Sequence, residues 1–331
     1  MRPYIYIFGW VAAYLYFRNR PQSKQALSQY LIVRGLWLVF LELTVVRFGW
    51  LFDPTYSFSM AQVIWAIGWS MVVLAALIYL PIPVISAIGI LLIGGHNLFD
   101  HIQAEQLGRW GWLWAVLHEQ KMFTLFANKK LFISYPLIPW VGVMATGYAF
   151  GTVFNMGKTQ RLRLLRRLGL GLITGFVVLR ALNVYGDPHP WSVQSNFSYT
   201  ILSFINCHKY PPSLLYLLIT LGLAMLLLYL FEKQRWRIFN PLVLFGRVPL
   251  FFYIVHIWLI HFAAILLALP KYGIKAITMP FLVSRLMPAD YGYDLPMIYN
   301  LSIITIILLY PLCDWFVKYK AKHPSKWLKY L

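Results

Sequence analysis

The run Gly94-Gly95-His96-Asn97-Leu98-Phe99-Asp100 sets an imidazole and a carboxylate four residues apart, a spacing that stacks them on one face of a helix. A carboxylate so placed orients a histidine and supports its cationic form. His96 therefore reads as a general base backed by Asp100, able to take a proton from a hydroxyl or an amine. Asn97 joins them as a substrate-binding candidate. The bland alternative is a histidine and an aspartate that solvate a helix end. Two more histidines, His256 and His261, lie five apart in an apolar run and so do not share a helical face. One can face a site while the other packs: His256 is the further catalytic candidate and His261 a substrate-binding one. Lys209-Tyr210-Pro211-Pro212-Ser213 opens another apolar run, with proline suited to a first turn and Ser213 placed to cap it. Lys209 is then either an exposed lysine or a substrate contact.

Charges inside apolar stretches are costly in a bilayer, so each is a functional candidate. Glu42 and Arg47 fall in one such stretch and Arg180 in another. They read either as internal ion pairs, Glu42 with Arg47 or Arg180, or as an anionic-ligand site in which Arg47 or Arg180 steadies developing negative charge. Arg34 lies near the border of its run, where its stem can reach the headgroups. With Arg247 it is a candidate for binding a phosphate. No glycine-rich phosphate loop, nucleophile elbow or zinc-type ligand spacing occurs, and no glutamate follows His96 to make a zincin pair with His101. The expectation is no metal.

These residues must be positioned by helices in a membrane. The chain is 60% hydrophobic and 12% charged, about half the charge of a soluble domain. Nine apolar runs approach the ~20 residues that cross a hydrocarbon core: 3 to 17, 30 to 51, 59 to 80, 82 to 100, 134 to 154, 168 to 186, 212 to 231, 247 to 269 and 298 to 317. Glycines four apart, Gly147/Gly151 and Gly171/Gly175, permit close helix contact. Tryptophans collect near the ends of the runs, as in interfacial belts. The net charge of +19 is topological rather than a sign of nucleic-acid binding. With the loop after the first run taken as cytoplasmic, that side holds seventeen basic residues against Glu232 and Asp314, and the other side nine basic against seven acidic. The positive-inside rule then puts the carboxyl terminus in the cytoplasm and the amino terminus outside. The expected fold is an all-α polytopic bundle of about nine transmembrane helices, one domain over 1–331, with outer loops 101–133, 187–211 and 270–297. The first two, rich in Trp, His, Pro and Asn, can cap a site.

The stretches Arg34-Gly35-Leu36-Trp37-Leu38, Gln62-Val63-Ile64-Trp65, Gly95-His96-Asn97-Leu98-Phe99-Asp100, Tyr135-Pro136-Leu137-Ile138-Pro139-Trp140, Asn183-Val184-Tyr185-Gly186-Asp187, Lys209-Tyr210-Pro211-Pro212-Ser213 and Phe245-Gly246-Arg247-Val248-Pro249 together resemble one family over nearly the whole chain. It is the group of bacterial membrane proteins (DUF1624) related to the heparan-alpha-glucosaminide N-acetyltransferase catalytic domain. The resemblance implies a bundle that passes an acyl group, typically acetyl, from cytoplasmic acyl-CoA to a sugar acceptor across the membrane. It also implies a further first helix whose end and following loop carry an aspartate-histidine pair or a catalytic histidine; the chain has no counterpart to these. The expectation is an acyl-CoA-dependent acyltransferase of the cell (inner) membrane. Acyl-CoA is its co-substrate, with no permanently bound cofactor. Its partners are membrane lipids and a glycan acceptor, no nucleic acid, with a homo-oligomer compatible. The competing expectations are a transporter or flippase for an anionic small molecule, with Glu42, Arg47 and Arg180 along its pathway, and a non-catalytic remnant of the family.

Overall fold

The computed structural model describes residues 23–125, 128–234, 240–278, 288 and 290–323. The expected first helix, 3 to 17, lies outside them, as do residues 279–287 and 289 of the loop 270–297. The described chain is helical apart from one small sheet.

Helix α1 (Lys24–Leu41) starts at Ser23, whose hydroxyl accepts from the Ala26 amide, the usual serine cap. It runs through a π-helical turn at Glu42–Val46 into α2 (Arg47–Leu51). Strand β1 (Phe58–Ala61) follows, then α3 (Val63–Leu77) and α4 (Ile82–Gly95), split by Pro81. Next come a 3-10 turn His96–Phe99, a second at Ala104–Trp110, α5 (Gly111–His118), β2 (Lys121–Thr124), β3 (Lys130–Ile133) and α6 (Leu137–Phe150). The rest is helical: α7 (Lys158–Leu182), α8 (Phe197–Ile205), α9 (Leu214–Lys233), α10 (Asn240–Arg247), α11 (Pro249–Tyr272) and α12 (Leu295–Lys322).

Two expectations need correction here. The run expected as a helix from residue 59 begins as β1, which pairs in parallel with β3 from Phe58↔Lys130 to Ala61↔Ile133. Strand β2 completes the sheet, antiparallel to β3. Short segments such as Lys121-Met122-Phe123-Thr124, which alternates in burial, and Lys130-Leu131-Phe132-Ile133 satisfy each other's backbone by pairing, an outlet closed to a lone extended strand. The segment 101–133, expected as a loop, is thus largely folded structure. The second correction concerns helix packing. A Cβ on Gly171 would meet nothing within 4 Å and one on Gly175 would meet Leu218 alone, at 4.0 Å; the close approach on α7 is at Gly169, against Gly222 of α9. A Cβ on Gly35 of α1 would sit 2.5 Å from the Gly68 carbonyl oxygen of α3, and one on Gly89 of α4 2.8 Å from the Gly142 carbonyl oxygen of α6. Three antiparallel pairs, α1/α3, α4/α6 and α7/α9, are therefore built on facing glycines, the contact that small residues allow in lipid.

Among the described residues, five helices are long and apolar enough to cross a membrane: Ile82–Phe99, Leu137–Asn155, Leu214–Lys233, Pro249–Ala276 and Leu295–Lys322. Helix α3 is apolar but shorter. The core joins α1, α3, α6 and α11 through Leu31, Leu38, Leu74, Met144 and Ile257. Helix α12 leaves Ile303, Ile304, Ile307 and Leu308 exposed, an apolar face of the kind that a soluble surface rarely carries. The chain is a helical protein of membrane type.

Candidate functional site

Helix α4 does not carry its α-geometry as far as Asp100. After Gly94-Gly95 it tightens into the 3-10 turn His96–Phe99, in which residues three apart eclipse and residues four apart sit roughly a third of a turn from each other. Asp100 therefore lies over Asn97, whose Nδ2 donates to Asp100 Oδ2 at 2.8 Å. Its other oxygen, Oδ1, lies 3.2 Å from Nε2 of His118. The expected hydrogen-bonded pair of His96 with Asp100 is thus replaced by His118 with Asp100, because the 3-10 turn takes the two side chains off a common face.

His118 is the last residue of α5 and only 4% exposed. Trp114, one turn earlier, packs on its ring at 4.8 Å and donates its indole N–H to the Ile102 carbonyl at 2.9 Å. Gly111 closes against the Ala104 backbone, and Glu119 accepts from the Ala104 amide at 2.8 Å. These contacts fold the segment back over the end of α4. His96 is 2% exposed, with its ring 5.8 Å from that of His118. The ligand atoms of His96, Asp100 and His118 all lie within 4.8 Å of one another. Neither ring nitrogen of His96 has a hydrogen-bond partner among the described residues, and neither does Nδ1 of His118. The Pro212 backbone comes close to His96 without reaching hydrogen-bond geometry. Asp100 sits just past the end of the span Ile82–Phe99. Partial burial pushes its carboxyl up, but hydrogen bonds from His118 and Asn97 outweigh that and hold it below the ordinary carboxylate value.

The start of α9 forms another wall. Asn97 Oδ1 accepts from the Leu214 amide at 2.8 Å, and Ser213 caps the same helix by accepting from the Tyr216 amide. The Ser213 hydroxyl donates in turn to Asp187, which also accepts from the His208 and His189 amides. Tyr185 donates its hydroxyl to the Gly94 carbonyl. Residues on either side of the loop 187–211, Tyr185 before it and Pro212 and Leu214 after it, thus meet the end of α4 at the site.

The other candidates go elsewhere. Glu42 is 1% exposed, and its carboxylate accepts from the first amides of α3, Ile64 at 3.0 Å and Trp65 at 3.3 Å. It pairs with neither Arg47 nor Arg180, because the π-turn aims it at an uncapped helix start. Arg47 bonds Asp53 through its side chain and backbone, donates to the Phe58 carbonyl at 2.9 Å, and stacks on Tyr56 at 4.1 Å. Arg180 donates to the carbonyls of His189, Ser203, Phe204 and Asn206, with Asp187 at 3.9 Å. Both guanidinium groups fasten loops. His261 contacts the Gly49 carbonyl at 2.9 Å and stacks on Phe52, while His256 contacts the Phe252 carbonyl on its own helix. Neither histidine belongs to the His96 cluster. Lys209 is exposed over the Tyr210 ring, Arg247 is exposed, and Arg34 is half-buried within electrostatic reach of Lys320.

His118 is the functional candidate that spacing missed. Its one local signal is the apolar aromatic run Trp110–Leu117 ahead of it, which marks a folded segment rather than a loose loop. Comparison of the chain with known protein families, with characterised proteins and with solved structures returned no match.

Proposed function

We propose that this chain is a membrane acyltransferase that moves an acyl group, acetyl by preference, from cytoplasmic acyl-CoA to a sugar or glycan acceptor on the far side of the membrane. The observation that carries the reading is the buried His118, tied to Asp100 and set beside His96 at one end of the bundle. With its Nε2–H given to Asp100, His118 keeps a lone pair on Nδ1, the tautomer being assigned from that hydrogen bond. An acceptor O–H or N–H passes its proton to Nδ1 as its oxygen or nitrogen attacks the thioester carbonyl. The C–S bond then breaks and the CoA thiolate leaves to be protonated. Asp100 stays ionised and steadies the imidazolium.

The basic residues supply the donor's side. Lys24, which donates to the Tyr79 carbonyl, Lys158, Arg163, Arg166, Arg167 and Lys233 lie at the helix ends remote from His96, where they attract the phosphates of CoA. The reading carries with it a nine-span topology in the cell (inner) membrane, the carboxyl terminus cytoplasmic and the His96 end outside. Transport of an anion draws less support, since Glu42, Arg47 and Arg180 are all committed to fastening backbone.

The test is transfer and acyl-CoA binding by the purified chain. His118→Ala should lower transfer by roughly 10²–10⁴-fold with acyl-CoA binding kept, and Asp100→Asn should lower it less. Absence of saturable acyl-CoA binding would remove the reading.

A further inference from the structure

We infer that His96, Asp100 and His118 form a binding site for a divalent transition-metal ion of the zinc type. The inference goes beyond acyl transfer and does not depend on it. Its first ground is the composition of the cluster: two imidazoles and one carboxylate, contributed by the end of α4 and the end of α5, with all ligand atoms within 4.8 Å of one another. Two nitrogens and one oxygen suit a borderline ion such as Zn²⁺, and three protein ligands with a fourth position open are the pattern of catalytic rather than structural zinc.

The second ground is a distance. His118 Nε2 and Asp100 Oδ1 stand 3.2 Å apart. Without an ion the contact is a long hydrogen bond, at the upper end of the ordinary N–H···O range. Two ligands each about 2.0–2.1 Å from a tetrahedral zinc are about 3.3 Å apart, so these two atoms already hold the spacing that an ion requires. The third ligand atom, on His96, lies within 4.8 Å of both and draws in to about 3.3 Å when an ion is seated.

The third ground is His96 itself. It is 2% exposed, faces His118, and neither of its ring nitrogens has a hydrogen-bond partner among the described residues. A buried imidazole without a partner is costly, and a metal bond on one nitrogen removes much of that cost. The surroundings are those of a supported metal site: Asn97 holds the second oxygen of Asp100 and is itself held by the Leu214 amide. Such outer contacts orient the ligands. Asp100 is partly exposed and gives an ion a way in. The sequence hid the site because His96 and His101 are the wrong pair; the second imidazole comes from a helix eighteen residues beyond Asp100. With an ion seated, His118 is a ligand, and the open position takes over the acceptor activation otherwise assigned to Nδ1.

The experiment strips the detergent-purified full chain with EDTA, dialyses it against Zn²⁺ or Co²⁺, and measures bound metal by mass spectrometry and the visible spectrum of the Co²⁺ form. About one ion per chain is expected, with the intense absorption of four-coordinate Co²⁺. His96→Ala and His118→Ala should each weaken binding at least tenfold, Asn97→Ala roughly 10–100-fold, and His101→Ala not at all. Thermal transitions and size-exclusion profiles identify any variant that fails to fold. The wild-type measurement decides without the variants, because a wild-type chain that retains no metal overturns the site. Binding that every variant preserves overturns it as well. Neither readout uses an acyl donor, so loss of the acyltransferase reading leaves this result standing, and the reverse also holds.

Discussion

Asp53 shows how much one loop carboxylate can organise. It receives Arg47, the Thr55 hydroxyl and amide, and the Ser57 hydroxyl and amide. Desolvation pushes its carboxyl up, yet these hydrogen bonds prevail and hold it well below the ordinary value. A depressed carboxylate contributes stability that is present above its unfolded pKa and lost as the pH falls toward its folded one. The thermal transition in detergent should therefore drop as the pH falls from about 5 through the ordinary carboxylate range. Asp53→Asn should lower the transition at neutral pH and flatten that slope; an unchanged slope would free Asp53 of the role. Glu42 supports a sharper comparison. Glu42→Leu leaves the Ile64 and Trp65 amides without an acceptor and should cost about 1–3 kcal/mol for each stranded group. Glu42→Gln keeps a carbonyl oxygen there and should recover much of the loss in the same melting assay.

At the scale of elements, the facing glycines dominate. Gly35→Leu forces α1 off α3, since even a Cβ would sit 2.5 Å from a carbonyl oxygen. Overpacking of this kind costs roughly 1–3 kcal/mol or more, whereas Gly171→Leu, with open space around it, should leave the melting temperature nearly unchanged. Equal effects from both would contradict the packing. The contrast also marks what the sequence makes legible. The apolar runs predicted the spans of α4, α6 and α9 to within three residues and those of α11 and α12 to within seven, because length and hydrophobicity are local properties. Which glycine faces a neighbour is set by helix rotation, which a four-residue spacing does not encode. Strand β1 was illegible because its partner β3 lies seventy-two positions away, from Phe58 to Lys130. The site divided in the same way. His96, Asn97 and Asp100 were visible as one local run, while the 3-10 turn that redirects Asp100 and the return of α5 that delivers His118 depend on tertiary contacts.

At the scale of the whole molecule, the two ends differ in chemistry. Near the basic end, Arg161 of α7 is bound in bidentate fashion by Glu232 of α9 and also donates to the Met156 carbonyl. At the other end the same helix pair is tied through Arg180, Asp187 and Ser213. If the basic end faces the cytoplasm, single cysteines placed at the exposed positions Glu105 and Arg163 in a Cys207→Ser/Cys313→Ala background should respond oppositely to a membrane-impermeant thiol reagent. Glu105→Cys should react in intact cells, and Arg163→Cys only after lysis. The reverse pattern would invert the topology and with it the side on which the acceptor must wait.

Asn97 gives these scales one joint. Its amide oxygen holds the first N–H of α9 while its amide nitrogen holds Asp100. A single planar group thus acts as a crank between the loop that precedes α9 and the carboxylate of the site. If a molecule that settles on that loop and draws the start of α9 aside also moves Asp100, thermodynamic reciprocity requires whatever grips Asp100 to change the loop's affinity for that molecule by the same factor. Occupancy of the two places is then felt in both directions through one side chain.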